Sequence, residues 1–65
     1  MDIAKEIKKL LIDESLTQQQ LADKIGTSQG NLANKLKRNN FNIKELQEIA
    51  QALNYELIIE FKKKN

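Results

Sequence analysis

Two short amphipathic segments, joined by a connection of about three residues from Gly26 to Ser28, constrain the fold of this 65-residue chain more than any other feature. The first covers about residues 17–25, where Thr17 can cap a helix and Gln20 completes a capping box. Gly26 ends this helix, because glycine adopts the left-handed conformation at a helix C-terminus at little cost. Ser28 can cap the second helix. The sequence therefore predicts two helices joined by a tight turn.

Further helices flank this pair on both sides. Ile3, Ile7 and Leu11 lie at helical spacing, and Asn42 with Glu45 forms a second capping box. A chain of this size forms one small domain. We therefore expect a mostly α fold in one domain spanning residues 1–65. The predicted helices cover about residues 3–13, 17–25, 28–37 and 42–53.

The segment after the last helix changes its period. Apolar residues alternate with polar ones over about residues 55–61, which predicts a β-strand. No other segment resembles a strand, and a single strand leaves its backbone groups unpaired. The same strand from a second copy would pair with it across a two-fold axis. The sequence thus predicts a homodimer; the alternative is a strand lying on its own helices with a solvated edge. The expected interface residues are Tyr55, Leu57, Ile58, Ile59 and Phe61.

Composition excludes several classes of protein. The chain contains neither cysteine nor histidine, which removes disulfides, zinc fingers and thiol or imidazole catalysis. We expect no metal site, no cofactor and no enzymatic activity. The longest apolar runs have three residues, far below the roughly 18 that a membrane span needs. We therefore expect no membrane association, and the lack of cysteine agrees with a cytoplasmic location.

The positive charge is concentrated in the middle of the chain. The formal net charge is only +2, but residues 24–44 contain five basic residues and no acidic residue. Such an asymmetry indicates an anionic partner; the alternative is a solvated basic face.

The predicted third helix carries a polar face that helix propensity does not explain. Gly30, Asn34 and Arg38 point away from Leu32 and Leu36. A helix fits the major groove of DNA, and amide side chains can pair with adenine there. The residues predicted to face bases are Gln29, Gly30, Asn31 and Asn34. The residues predicted to contact phosphates are Thr17, Gln18, Ser28, Lys35, Lys37, Arg38, Asn39 and Asn40.

The run from Thr17 to Gln29 resembles the helix-turn-helix core of the lambda-repressor-like family, which includes phage repressors and Cro proteins. The family pattern is T-Q-x-x-L-A-x-x-x-G-x-S/T-Q/R, and the run Ile43–Leu53 resembles the next helix of the family. The resemblance covers roughly residues 3–54. It implies a phosphate contact at Gln18 and base-facing positions at Gln29, Gly30 and Asn34.

The resemblance has two departures. Gly30 replaces a side chain that reads bases in the family. The usual Glu-Asn-Gly after the recognition helix is replaced by the run Lys37 to Asn40, for which the resemblance implies contacts to the DNA backbone. A C-terminal strand used for dimerisation is similar to Cro proteins.

Together these features predict a sequence-specific transcriptional regulator of double-stranded DNA. It would be a Cro-like repressor that binds a palindromic operator, an inverted repeat, as a homodimer. The alternative is an antitoxin-like or other protein-interaction module, whose C-terminal strand pairs with an unidentified protein partner.

Overall fold

Four α-helices make up the secondary structure of the computed structural model, which describes residues 2–64. The mostly α fold with four helices agrees with the prediction. Their bounds are α1 Ile3–Asp13, α2 Gln18–Ile25, α3 Gln29–Arg38 and α4 Ile43–Ala52. No helix within the described residues is long and apolar enough to cross a membrane.

Side chains fix the start of each helix. The Thr17 hydroxyl accepts a hydrogen bond from the Gln20 N–H at 3.1 Å, and the Gln20 side chain accepts one from the Thr17 N–H at 2.9 Å. Asn42 and Glu45 form the same reciprocal pair at α4. These capping boxes satisfy N–H groups that have no partner inside the helix. They also set the points at which the chain enters α2 and α4.

The turn between α2 and α3 depends on Gly26. Its φ of +74° lies in the left-handed region, which glycine enters without steric cost. The Thr27 N–H then donates to the Ala22 carbonyl at 2.9 Å, and this bond closes the end of α2. The Ser28 hydroxyl accepts from the Asn31 N–H at 3.1 Å. The chain therefore reverses into α3 within three residues.

The core is centred on α2. Leu21 and Ala22 are completely buried, and α2 packs against both α3 and α4, while α1 packs against α3. The remaining buried apolar residues come from all the other helices and the end of α4. They are Ala4, Ile7, Leu11, Leu32, Leu36, Ile49, Ala50 and Leu53.

Two apolar residues of the helices lie outside the core. Ala33 is exposed, because Leu32 and Leu36, about one turn apart, provide the contact of α3 with the core. Ile43 is also exposed. It occupies the first position of α4, before the helix reaches the core.

The predicted strand over residues 55–61 is not present. The Tyr55 N–H donates to the Ala50 carbonyl at 2.7 Å, but no backbone hydrogen bond within the described residues involves residues 56–64. A strand is defined by the ladder that it shares with a neighbour, and within residues 2–64 no segment supplies one. Ile58, Ile59 and Phe61, three of the predicted interface residues, are exposed.

The other two predicted interface residues contact the helices of their own chain. The Tyr55 hydroxyl donates to the Glu14 carboxylate at 3.0 Å, and this bond raises the pKa of Tyr55, with burial adding to the effect. Leu57 is half-buried. It lines an apolar groove of about 180 Å³ between α1 and α4. The start of the segment formed by residues 55–64, which we call the C-terminal tail, is therefore attached to the helical core.

Candidate nucleic-acid interface

The polar face of α3 is open to solvent. Gln29, Gly30, Asn34 and Arg38 are exposed, whereas Leu32 is almost completely buried on the opposite side. A Cβ added at Gly30 would meet nothing closer than the Ser28 hydroxyl at 4.0 Å. Another molecule can therefore approach the backbone of α3 at this point without obstruction.

Asn31 is partly engaged within the protein. Its side-chain amide donates to the Thr27 hydroxyl at 3.3 Å, across the first turn of α3. The amide nitrogen therefore points back toward the turn. This placement distinguishes Asn31 from Asn34 among the residues predicted to face bases.

The hydroxyl groups that cap α2 and α3, those of Thr17 and Ser28, can each still donate a hydrogen bond. Thr17 and Ser28 accept hydrogen bonds from the backbone, but each hydroxyl proton remains available for another acceptor. Gln18, the first residue of α2, is half-buried beside Thr17. The N-termini of α2 and α3 thus each present a polar side chain together with the positive end of a helix dipole.

The end of α3 carries the basic residues. Lys37 and Arg38 are exposed in its last turn. Lys35 differs from them, because its ammonium pairs with the Glu45 carboxylate of α4 at 2.5 Å. This hydrogen bond, together with one from the Asn42 N–H, holds the pKa of Glu45 below its usual value. Lys35 therefore links α3 to α4 as well as contributing charge.

Asn39 connects the end of α3 to α1. It adopts a left-handed conformation with φ of +54° and ends the helix. Its side-chain carbonyl accepts a hydrogen bond from the Ala4 N–H at 2.8 Å. Asn40 follows as an exposed residue whose N–H donates to the Lys35 carbonyl. The carbonyl of Asn39 is thus occupied within the protein, while its side-chain N–H groups can still donate.

The two interhelix contacts of Asn39 and Lys35 were not predicted from the sequence. An asparagine in a left-handed turn is a local signal that a helix ends, but it does not identify Ala4 as a partner. The sequence identifies Glu45 only as a member of a capping box. Its second oxygen reaches Lys35 because α3 and α4 end and begin near each other.

A match to a family model adds to this geometry. Residues 6–59 match the model of the Cro/C1-type HTH DNA-binding domain, where HTH denotes helix-turn-helix. The chain belongs to this family. Among the curated proteins and among the solved structures, no significant match was found.

In this HTH domain, α2 and α3 are the two helices of the motif, and α3 takes the place of the recognition helix. The structure brings Gln29, Gly30 and Asn34 onto or beside one exposed face of α3. It places Lys37 and Arg38 at the C-terminal end of that helix. The family match supports DNA as the partner of this domain.

Proposed function

We propose that this HTH domain is a sequence-specific, double-stranded DNA-binding transcriptional regulator and not an enzyme. The observation that carries the proposal is the exposed amide-rich face of α3 within a Cro/C1-type HTH domain. In this proposal α3 enters the major groove, and Gln29 and Asn34 read base edges there. A bidentate amide contact to adenine discriminates against the wrong base by about 1–3 kcal/mol.

Phosphate contacts fix the position of α3 in the groove. The N-terminus of α2, with Thr17 and Gln18, is suited to one phosphate. Lys37 and Arg38 supply positive charge at the other end of α3. Contacts of this kind set the register and orientation of the protein without reading sequence.

The proposed active species is a homodimer that acts as a repressor in the cytoplasm. Ile58, Ile59 and Phe61 are exposed, and the backbone of residues 56–64 has no hydrogen-bond partner within the described chain. Pairing of two such tails around a two-fold axis would bury both features. The dimer would then bind an inverted repeat whose half-sites lie about 34–36 Å apart. Binding over a promoter is sufficient for repression, because it excludes other proteins from the same DNA.

Selection of bound sequences from a random pool of DNA duplexes, at near-physiological salt, tests this function. We expect enrichment of an inverted repeat with half-site centres about 10 base pairs apart. A pool without enrichment, together with binding that vanishes as salt rises, would show a charge-driven interaction and overturn sequence specificity.

The same exposed tail favours one alternative function. An antitoxin-like protein could add residues 55–61 as a strand to the sheet edge of a partner protein. Sedimentation of the isolated protein separates the two cases. A dimer supports self-pairing of the tails, whereas a monomer that selects no inverted repeat supports a partner of a different kind.

A further inference from the structure

Three lysines converge on a cleft between the start of α1 and the end of α3. Lys5 and Lys8 come from α1, and Lys37 comes from the last turn of α3. The cleft has a volume of about 390 Å³, and all three lysines are exposed. The other lining residues are Asp2, Ala4, Leu36 and Asn39. We call these seven residues the lysine cleft.

The lysine cleft carries an excess of positive charge. Asp2 is its single acidic member, and the Asp2 carboxylate accepts a hydrogen bond from the Lys5 N–H at 3.1 Å as the cap of α1. Within residues 2–64, the ion pairs of the structure are Lys35 with Glu45 and Lys62 with Glu60. None of the three cleft lysines takes part in either pair. This excess of positive charge would attract an anion into the cleft.

The helical neighbours of Lys8 contain no compensating acid. The residues three and four positions away along α1 are Lys5, Ala4, Leu11 and Ile12. A carboxylate at this spacing on a helix would pair favourably with the lysine. Its absence here leaves the charge of Lys8 available for an external partner.

The lysine cleft is continuous with the end of the recognition helix. The hydrogen bond from the Ala4 N–H to the Asn39 side chain holds the first turn of α1 against the C-terminus of α3. Lys37 belongs both to the cleft and to the basic end of α3. The positive surface of α3 therefore extends across this hydrogen bond onto α1.

We propose that the lysine cleft binds a phosphate of the DNA backbone, so that Lys5 and Lys8 extend the DNA contact surface onto α1. This inference rests on the proposed DNA-binding function. A phosphate is the anion that lies within reach when the end of α3 is against DNA. Contacts from lysine to phosphate are charge-driven and do not depend on base sequence.

The salt dependence of duplex binding measures the number of such contacts. The slope of log K against log salt changes by about 0.9 for each phosphate that is neutralised. We expect Lys5→Gln and Lys8→Gln each to make the slope shallower, by up to this amount, and to weaken binding to selected and unrelated duplexes alike. Lys9→Gln is the matched control, because it removes the same charge from α1 at a residue that does not line the cleft. Slopes for Lys5→Gln and Lys8→Gln equal to that of Lys9→Gln would overturn the proposal.

Ethylation interference locates the contact on the DNA. Phosphates whose ethylation weakens binding of the wild-type protein are compared with those for the double variant Lys5→Gln/Lys8→Gln. We expect at least one phosphate to lose its effect in the double variant and to keep it in Lys9→Gln. An unchanged pattern would place Lys5 and Lys8 away from the DNA.

The outcomes separate the two proposals. A wild-type protein that shows no salt-dependent binding to any duplex contradicts the DNA-binding function and the lysine cleft together. A wild-type protein that binds, with variants identical to the control, overturns the lysine cleft and leaves the function intact. Thermal melting of each variant, monitored by circular dichroism, establishes that the compared proteins are folded.

Discussion

At the residue scale, Asn39 both ends α3 and connects it to α1. Its backbone ends α3 in a left-handed conformation, and its side chain accepts a hydrogen bond from the Ala4 N–H of α1. Glycine would suit the backbone better, because it has no Cβ to resist a positive φ. The choice of asparagine is therefore explained by the bond to α1.

Replacing Asn39 by glycine tests this bond. Asn54→Gly is the matched control, because Asn54 also has a positive φ, of +62°, and is exposed. Both changes favour the left-handed backbone, but only Asn39→Gly removes the bond to Ala4. We expect Asn39→Gly to lower the free energy of unfolding by about 1 kcal/mol relative to Asn54→Gly. Urea denaturation measures both values, and equal stabilities would contradict the role given to the side chain.

The stabilisation of the fold by the ion pair between Lys35 and Glu45 depends on pH. Lys35 and the Asn42 N–H lower the pKa of Glu45 in the folded state, so the unfolded chain takes up a proton at this residue at a higher pH than the folded chain. The resulting stabilisation is complete above the ordinary pKa of glutamate. It is lost as the pH falls from there through the lower pKa of the folded state.

The variant Lys35→Met tests whether the bond from Lys35, rather than the general charge of nearby lysines, lowers the pKa of Glu45. We expect the pKa of Glu45, followed by nuclear magnetic resonance of its carboxyl carbon, to rise toward the ordinary value in this variant. Lys44→Met removes a lysine that forms no ion pair with Glu45 and should produce a smaller rise. If both variants leave the pKa of Glu45 where it is in the wild-type protein, the Lys35 bond does not persist in solution.

At the scale of elements, α3 has one face packed against the core and one face exposed to solvent. Leu32 and Leu36 attach it to the core. Gln29 and Asn34, which we propose to contact bases, and Arg38, which we propose to contact a phosphate, are exposed. The short turn at Gly26 and the links to α1 and α4 fix its orientation. A contact to a base and a contact to a phosphate should respond differently to mutation.

Asn34→Ala and Arg38→Ala measure that difference. We expect Asn34→Ala to weaken binding to the selected duplex by about 1–3 kcal/mol, with little effect on unrelated duplexes and no change in salt slope. Arg38→Ala should weaken binding to all duplexes and reduce the slope by about one. Titrations with both kinds of duplex at several salt concentrations check these values. Equal losses on both duplexes for Asn34→Ala would remove it from the base contacts.

At the scale of the whole molecule, the C-terminal tail has exposed apolar side chains and a backbone without hydrogen-bond partners over residues 56–64 of the described chain. Tyr55 and Leu57 attach its root to the helices, but Phe61 is fully exposed. The molecule extends over 42 Å in its longest dimension against 20 Å in its shortest. Exposed apolar side chains on an unpaired backbone suit association with another chain.

Ile59→Asp tests whether the tails pair. A carboxylate at this position would have to be buried in the proposed pair, which is unfavourable without a partner charge. We expect this variant to sediment as a monomer at concentrations where the wild-type protein is a dimer. Lys63→Asp places the same residue in the tail at an exposed basic position and should remain dimeric. Monomeric behaviour of the wild-type protein would contradict self-association at the outset.

The sequence by itself determined the features that arise within one or two helical turns. Thr17 with Gln20, and Asn42 with Glu45, cap helices over three residues. Gly26 ends α2 by its own conformational freedom. Such signals are local in the chain, so the four helices and the exposed face of α3 could be predicted from residue type and spacing.

Only the tertiary structure decided which distant residues meet. The bond between Ala4 and Asn39 spans 35 positions, and the bond between Glu14 and Tyr55 spans 41. No local pattern identifies these partners, because they depend on how α1 packs against α3 and where the tail leaves α4. The strand predicted over residues 55–61 is not found for a related reason: the alternation of residues is a local pattern, but a strand needs a neighbour with which to pair. The lysine cleft likewise exists only because α1 and α3 bring their lysines together.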